Sequence, residues 1–156
     1  MNFVTLCAIL GAGFSMGIGA LGPAMGEGII ALNAVKALSR QPRAAGKLMR
    51  IMLIGQAITE TPAIFALVIS LLLLFQDSGD SFVKGVAFLI AGIAMGISTL
   101  GASFGASFPG KTASTAVGRQ PENIEALMVS MIIGQAITGT TVIYTTVVAM
   151  ILIFVV

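Results

Sequence analysis

Two carboxylates stand where carboxylates are costly. Glu27 lies in the run GAGFSMGIGALGPAMGEGIIAL (11–32), and Glu60 lies in GQAITETPAIFALV (55–68). An ionisable group at membrane depth marks a site of ion or proton handling. Pro62 cannot donate a hydrogen bond to the carbonyl four residues earlier, which is that of Ile58. Two carboxyls, one free carbonyl and the hydroxyls of Thr59 and Thr61 make an all-oxygen set that suits a hard cation. Around one monovalent ion only one of two close carboxylates is expected to ionise. Na⁺ with one proton leaves such a site neutral, as do two protons and no metal. The chain has no His and a single cysteine, Cys7, so transition-metal and Cys/His nucleophilic chemistry have no basis. It also lacks a Walker-type loop, so ATP chemistry is expected to belong to a partner and this chain is not expected to be an enzyme.

The elements that hold these carboxylates follow from composition. Of 156 residues, 57% are hydrophobic and 9% charged, too few polar groups to cover a water-soluble core. Four apolar stretches, 2–35, 51–76, 82–108 and 124–156, each exceed the ~20 residues that a membrane helix needs. Runs such as LVISLLLLF (67–75) lack the alternation of barrel strands, so four transmembrane helices are predicted. MNFVTLCAIL has no basic segment before its apolar run, and no cleaved signal peptide is expected. The net charge of +2 points away from a nucleic-acid partner.

A shift of 79 residues superimposes the halves. GRQP (118–121) falls on SRQP (39–42), GQAIT (134–138) on GQAIT (55–59), and Gly92, Gly96, Gly101 and Gly105 on Gly13, Gly17, Gly22 and Gly26. The chain therefore reads as two tandem helical hairpins, 1–78 and 79–156. The glycines recur at i, i+4 in the first and third helices, a spacing that lets backbones approach closely in lipid. A stripe several turns long asks for close neighbours on both sides, as in the inner wall of a ring. Seven of the eight basic residues flank the two RQP turns, and Lys84 is the exception. The turns are thus predicted to face the cytoplasm, with both termini and the 76–82 linker on the other side.

Depth brings the carboxylates together. Arg40 follows Glu27 by 13 residues, ~20 Å of helix, and Glu60 follows Pro42 by 18, ~27 Å. Side chains lean toward the N-terminus of their helix, which shrinks this ~7 Å mismatch from both sides.

GAGFSMGIGALGPAMGEG, RQP and GQAITETPAIFALV together resemble the c subunit (proteolipid) of F-type ATP synthases. The duplicated form is similar to the rotor proteolipid of V-type and Na⁺-dependent ATPases. That resemblance implies a ring that turns against a stator a subunit. It also implies central-stalk contacts at Arg40, Gln41 and Pro42 and at Arg119, Gln120 and Pro121. Glu60 falls on the essential ion-binding carboxylate, Glu27 on a Gln ligand of Na⁺-binding members, Ile58 on the carbonyl donor and Thr61 on a hydroxyl ligand. The family's tyrosine falls on Phe65, which has no hydroxyl. In hairpin 2, Gly139 replaces the carboxylate and Ala106 its partner, while Thr140 and Tyr144 are kept. Family sites lie between hairpins, so a composite is expected: Glu27 and Glu60 with Tyr144 and Thr140 of an adjoining hairpin 2. Either Ile58 or Ile137 supplies the carbonyl.

The resemblance implies a multi-pass protein of the cell (plasma) membrane, in a homo-oligomeric ring embedded in lipid. The ring could also include single-hairpin c subunits. No covalent cofactor is implied, and the transported ion is Na⁺ or H⁺. One site per four helices lowers the ions moved per turn, which favours ATP-driven pumping or dual use. The rival from another class is a structural proteolipid that transports nothing.

Overall fold

The computed structural model describes residues 2–76 and 81–155. The boundary expected at 78/79 and most of the acidic linker fall outside the described residues. Five α-helices appear: α1 (Phe3–Gly19), α2 (Leu21–Arg40), α3 (Ala45–Phe75), α4 (Phe82–Arg119) and α5 (Ile124–Phe154). Among the described residues they make four spans long and apolar enough to cross a membrane, paired as two hairpins, with α1 and α2 forming one span. The first apolar stretch reads as one helix, and the structure agrees: α1 and α2 run on through Ala20, which keeps helical angles (φ/ψ −70°/−21°), donates to Met16 and accepts from Ala24. Pro23 removes a single bond there, because it offers no N–H to the carbonyl of Gly19. Pro62 interrupts nothing, and α3 runs through it.

The two turns are copies in conformation as well as in sequence. Gln41 and Gln120 leave the helices at φ/ψ of −140°/74° and −136°/72°. Each precedes a proline, which disfavours helical geometry at the residue before it. Pro42 and Pro121 then open single 3₁₀ turns, where a missing N–H costs nothing. Helices α2 and α4 continue well past the ends of their apolar stretches, as far as these turns. Hydropathy marks the lipid boundary, and the helices run on beyond it as far as the prolines of the turns.

The first span and α4 form an inner pair. Helix α3 covers the groove between them, and α5 lies on α4 beside α3, without substantial contact to α1 or α2. One core cluster (Val4, Leu73, Phe88, Ile153) lies toward the termini, and another (Ala37, Leu48, Val117, Met128) lies toward the turns. Phe3 stacks on Phe82 at 5.1 Å, so the N-terminus and the start of α4 share one end of the bundle. Between the inner helices the packing is backbone on backbone. A Cβ at Gly92 would collide with the backbone of Gly11, and one at Gly22 would lie 2.7 Å from Cα of Leu100. Only small residues permit that approach. The counterparts Gly13 and Gly101 have nothing within 4 Å. Each half of the repeat is thus used inside the chain on one flank and left open on the other.

Hydroxyls add the polar contacts. Ser15 donates to the carbonyl of Ala66 (2.9 Å) and Ser70 to that of Ala12 (3.0 Å), clamping α1 to α3. Thr145 donates to Ser98 (2.9 Å), joining α5 to α4.

Candidate ion site at the edge of hairpin 1

Gly26 is wedged between α3 and α4; a Cβ there would lie 2.7 Å from Thr59 Cγ2 and 3.0 Å from the carbonyl oxygen of Ser103. The next residue turns about 100° onward. That places half-buried Glu27 on the edge of hairpin 1 away from hairpin 2. Gln56 Nε2 reaches the backbone oxygen of Glu27 at 3.4 Å and sets α2 against α3 at this level. Glu60, one turn after Gln56, takes the same edge. Its carboxyl and that of Glu27 come within hydrogen-bonding reach of one another. The depth count expected this meeting. Glu60 remains exposed on that edge.

The other edge of α3 faces α5. There Ile58, Thr61 and Phe65 stand opposite Gly139, Thr140 and Ile143 around a cavity of about 300 Å³, of which Glu60 is not a wall. Gly139 takes the place that Glu60 has in hairpin 1, and Ala106 that of Glu27. A Cβ added at Gly139 would meet nothing within 4 Å, so this position is open as well as uncharged. The expected set of Glu60 with Ile58 and Thr61 is therefore not assembled within one hairpin. Successive helical residues point in different directions, and Glu60 and Thr61 diverge to different edges. Thr61 instead donates to its own helix at Ala57 (3.2 Å), and Thr140 to Ile137 (2.7 Å). Ile137 and Tyr144 stand 66% and 70% exposed on α5, which has no substantial contact with the helix that carries Glu27.

One residue had no role in the sequence reading. Gln135 is 1% exposed, and its Nε2 donates to the carbonyls of Gly55 (3.0 Å) and Ala106 (3.1 Å) and to Thr59 Oγ1 (3.1 Å). It ties α3, α4 and α5 together behind Gly139. The repeated GQAIT was its signal, since Gln56 holds the same place beside Glu27.

Two segments, residues 10–73 and 89–152, match the family described as the ATP synthase C subunit. The chain is 56% identical over 74 residues to an ATP synthase c subunit of Cereibacter sphaeroides, the one numbered 2, in a match spanning 47% of this chain and 89% of that protein. It is 48% identical over 77 residues to the ATP synthase c subunit of Trichlorobacter lovleyi (49% and 84%). With the ATP synthase c subunit of Petrotoga mobilis it shares 49% over 67 residues (43% and 70%). Each of these relatives corresponds to about half of this chain.

Proposed function

The chain belongs to the ATP synthase C subunit family, and from that premise we propose a rotor protein whose ring carries one Na⁺ per four helices at Glu60. The observation that carries this reading is the paired carboxyls of Glu27 and Glu60 on an edge that lacks its neighbour. The 79-residue correspondence supplies that neighbour. Within the chain, one hairpin's Gly139, Ala106 and Gln135 face the other's Ile58, Thr61 and Phe65. The matching pair of faces is Glu60, Glu27 and Gln56 on one edge of the chain and Ile137 and Tyr144 on α5, facing out of it, with exposed Thr140 at the rim between that face and the groove. A head-to-tail neighbour brings these faces together, and open Gly13 and Gly101 let inner helices approach along the same seam. Heterologous contacts of this kind close into a ring when the rotation permits. The composite site then holds the ion with Glu60, Glu27, the Ile137 carbonyl and the Thr140 hydroxyl, while Tyr144 donates its hydroxyl to the carboxylate. Ile58 and Thr61 belong to the empty copy.

Facing lipid, Glu60 must be neutralised by its ion, because a bare carboxylate there is prohibitive. At the stator a cationic side chain competes for Glu60 and releases the ion. Displacement under the membrane potential supplies about 2.3 kcal/mol per charge per 100 mV. The RQP turns face the cytoplasm and meet the central stalk, where partner subunits perform the ATP chemistry. One site per four helices spreads each ATP over fewer ions, which suits pumping against a steep gradient. Carbodiimide labelling of Glu60 tests the reading. Protection by Na⁺ at a pH where protons are scarce is expected; labelling that responds to pH alone assigns the ring to H⁺, and no labelling removes the site.

A further inference from the structure

The groove between α3 and α5 holds an acceptor that nothing in the described chain satisfies. Gln135 is 1% exposed and lines the cavity of about 300 Å³, and its Oε1 has no partner among the described residues. Turning the amide over does not help. Its Nε2 already donates to the carbonyls of Gly55 and Ala106, and an oxygen in that place would face two oxygens. The other polar walls are spent in the same sense. Thr61 and Thr140 give their protons to the carbonyls of Ala57 and Ile137. Pro62, also a wall, has no N–H for the carbonyl of Ile58. The polar side chains of this groove can therefore accept a hydrogen bond and have no proton to offer. A buried acceptor left without a donor costs stability, so the groove suits a guest that donates.

The charge and bulk of that guest follow from the remaining walls. No carboxylate lines the cavity, so a cation there would stand at membrane depth without a counter-charge. Pro62, Phe65, Ala136 and Ile143 make most of the surface apolar, and Gly139 leaves space where a side chain would stand. At a liquid share of about 30 Å³ each, roughly ten waters would be needed to fill it, and apolar walls offer them too few partners. Apolar walls with a few aimed polar groups are the build of a small-molecule pocket. Neither edge on which a neighbouring copy docks carries Phe65 or Ile143, and Ile143 is exposed, so the groove stays reachable from the lipid. We propose that it binds a neutral, lipid-soluble aromatic alcohol or phenol, with its ring against Phe65 and Pro62 and its hydroxyl donating to Gln135 Oε1. This site rests on the packing of α3 against α5, and on neither ring assembly nor ion transport at Glu60.

The test uses the full chain reconstituted in phosphatidylcholine vesicles, with a trifluoromethyl-diazirinyl benzyl alcohol as photoreactive probe. Labelled residues are located by peptide mass spectrometry. Saturable labelling at Ile58, Phe65 and Ile143, relieved by excess benzyl alcohol, is expected. Labelling that rises linearly with the probe, as it does in bulk lipid, overturns the site. The same diazirine with an ethyl group in place of the hydroxymethyl should label roughly 2- to 10-fold less, the loss of one hydrogen bond. Equal labelling by the two probes overturns recognition at Gln135 and leaves water as the donor. Gly139→Leu fills the groove without touching the Gln135 amide and should abolish saturable labelling; labelling that persists overturns the groove. The hydroxyl comparison is made on the unaltered protein, so it decides even where Gly139→Leu fails to fold. Saturating Na⁺ should leave the labelling unchanged. Protection by Na⁺, with the label on Glu60 or Tyr144, moves the guest to the ion edge and overturns the groove.

Discussion

On one edge of α3, Glu60 meets Glu27; on the other, Ile58, Thr61 and Phe65 meet a glycine. Both edges derive from the same repeated hairpin, so the contrast isolates what an ion site needs. The empty groove keeps the carbonyl position, a hydroxyl and a buried glutamine, and lacks both carboxyls and the phenol. The losses agree with one another. Phe65 lacks its hydroxyl in the groove that has no carboxylate, and Tyr144 keeps its own on the face that would meet Glu60 of a neighbouring copy. A site abandoned by chance in one place has no reason to lose the matching group on the partner helix.

The largest effect comes from making the two edges alike. Glu60→Gln removes the carboxyl that Gly139 already lacks, and ATP-driven ion uptake into proteoliposomes should fall by more than about 100-fold, because the stator and the potential act on the ion carried at Glu60. Preserved uptake would return the chain to a structural role.

The inner helices carry the same contrast in steric form. Gly92→Val drives a branched side chain into the Gly11 backbone and should cost about 1–3 kcal/mol or more, read as loss of the folded chain on heating in detergent. Gly13→Val, its counterpart on the open flank, should leave the isolated chain stable and prevent ring assembly, read by size and by image of the assembly. Equal behaviour of the two would remove Gly13 from any interface.

How far these features were legible depends on which physics set them. The pairing of Glu27 with Glu60 was readable because helical rise converts residue counts into depth. The continuity of the first span through Ala20 was readable too, because Pro23, like Pro62, removes one backbone bond without stopping a helix held by its neighbours. The side on which Ile58 and Thr61 end up was not readable. Spacing along α3 is the same whichever neighbour lies beside it, and only the packing of α5 against α3 decides. Gln135 was visible as part of GQAIT, yet its three partners lie on two other helices, which no local pattern reports.

That packing makes a finer test possible. Tyr144→Phe should weaken Na⁺ binding roughly 10- to 100-fold, the loss of one hydrogen bond to a charged group. Phe65→Tyr, which adds the same hydroxyl to the empty groove, should leave affinity within about twofold, because no charged partner stands there to receive it. Sodium protection of Glu60 from carbodiimide reads both. An unchanged Tyr144→Phe variant breaks the composite site, and a strengthened Phe65→Tyr variant reverses the handedness.

The smallest expected effect concerns what holds the empty groove shut. Two ion pairs, Lys47–Glu122 at 3.7 Å and Arg50–Glu125 at 2.9 Å, bridge the hairpins at the turn end, with acidic side chains 90% and 68% exposed. Pairs so open to solvent are worth well under about 1 kcal/mol each and fade with salt. Gln135 stands in the dry interior with three acceptors, and Gln135→Leu should cost about 1–2 kcal/mol. Glu122→Gln/Glu125→Gln should therefore shift the thermal midpoint of the chain in detergent less than Gln135→Leu does, and the shift should vanish at high salt. The opposite order would mean that surface charge, not the buried amide, joins the two hairpins along the edge that has no ion.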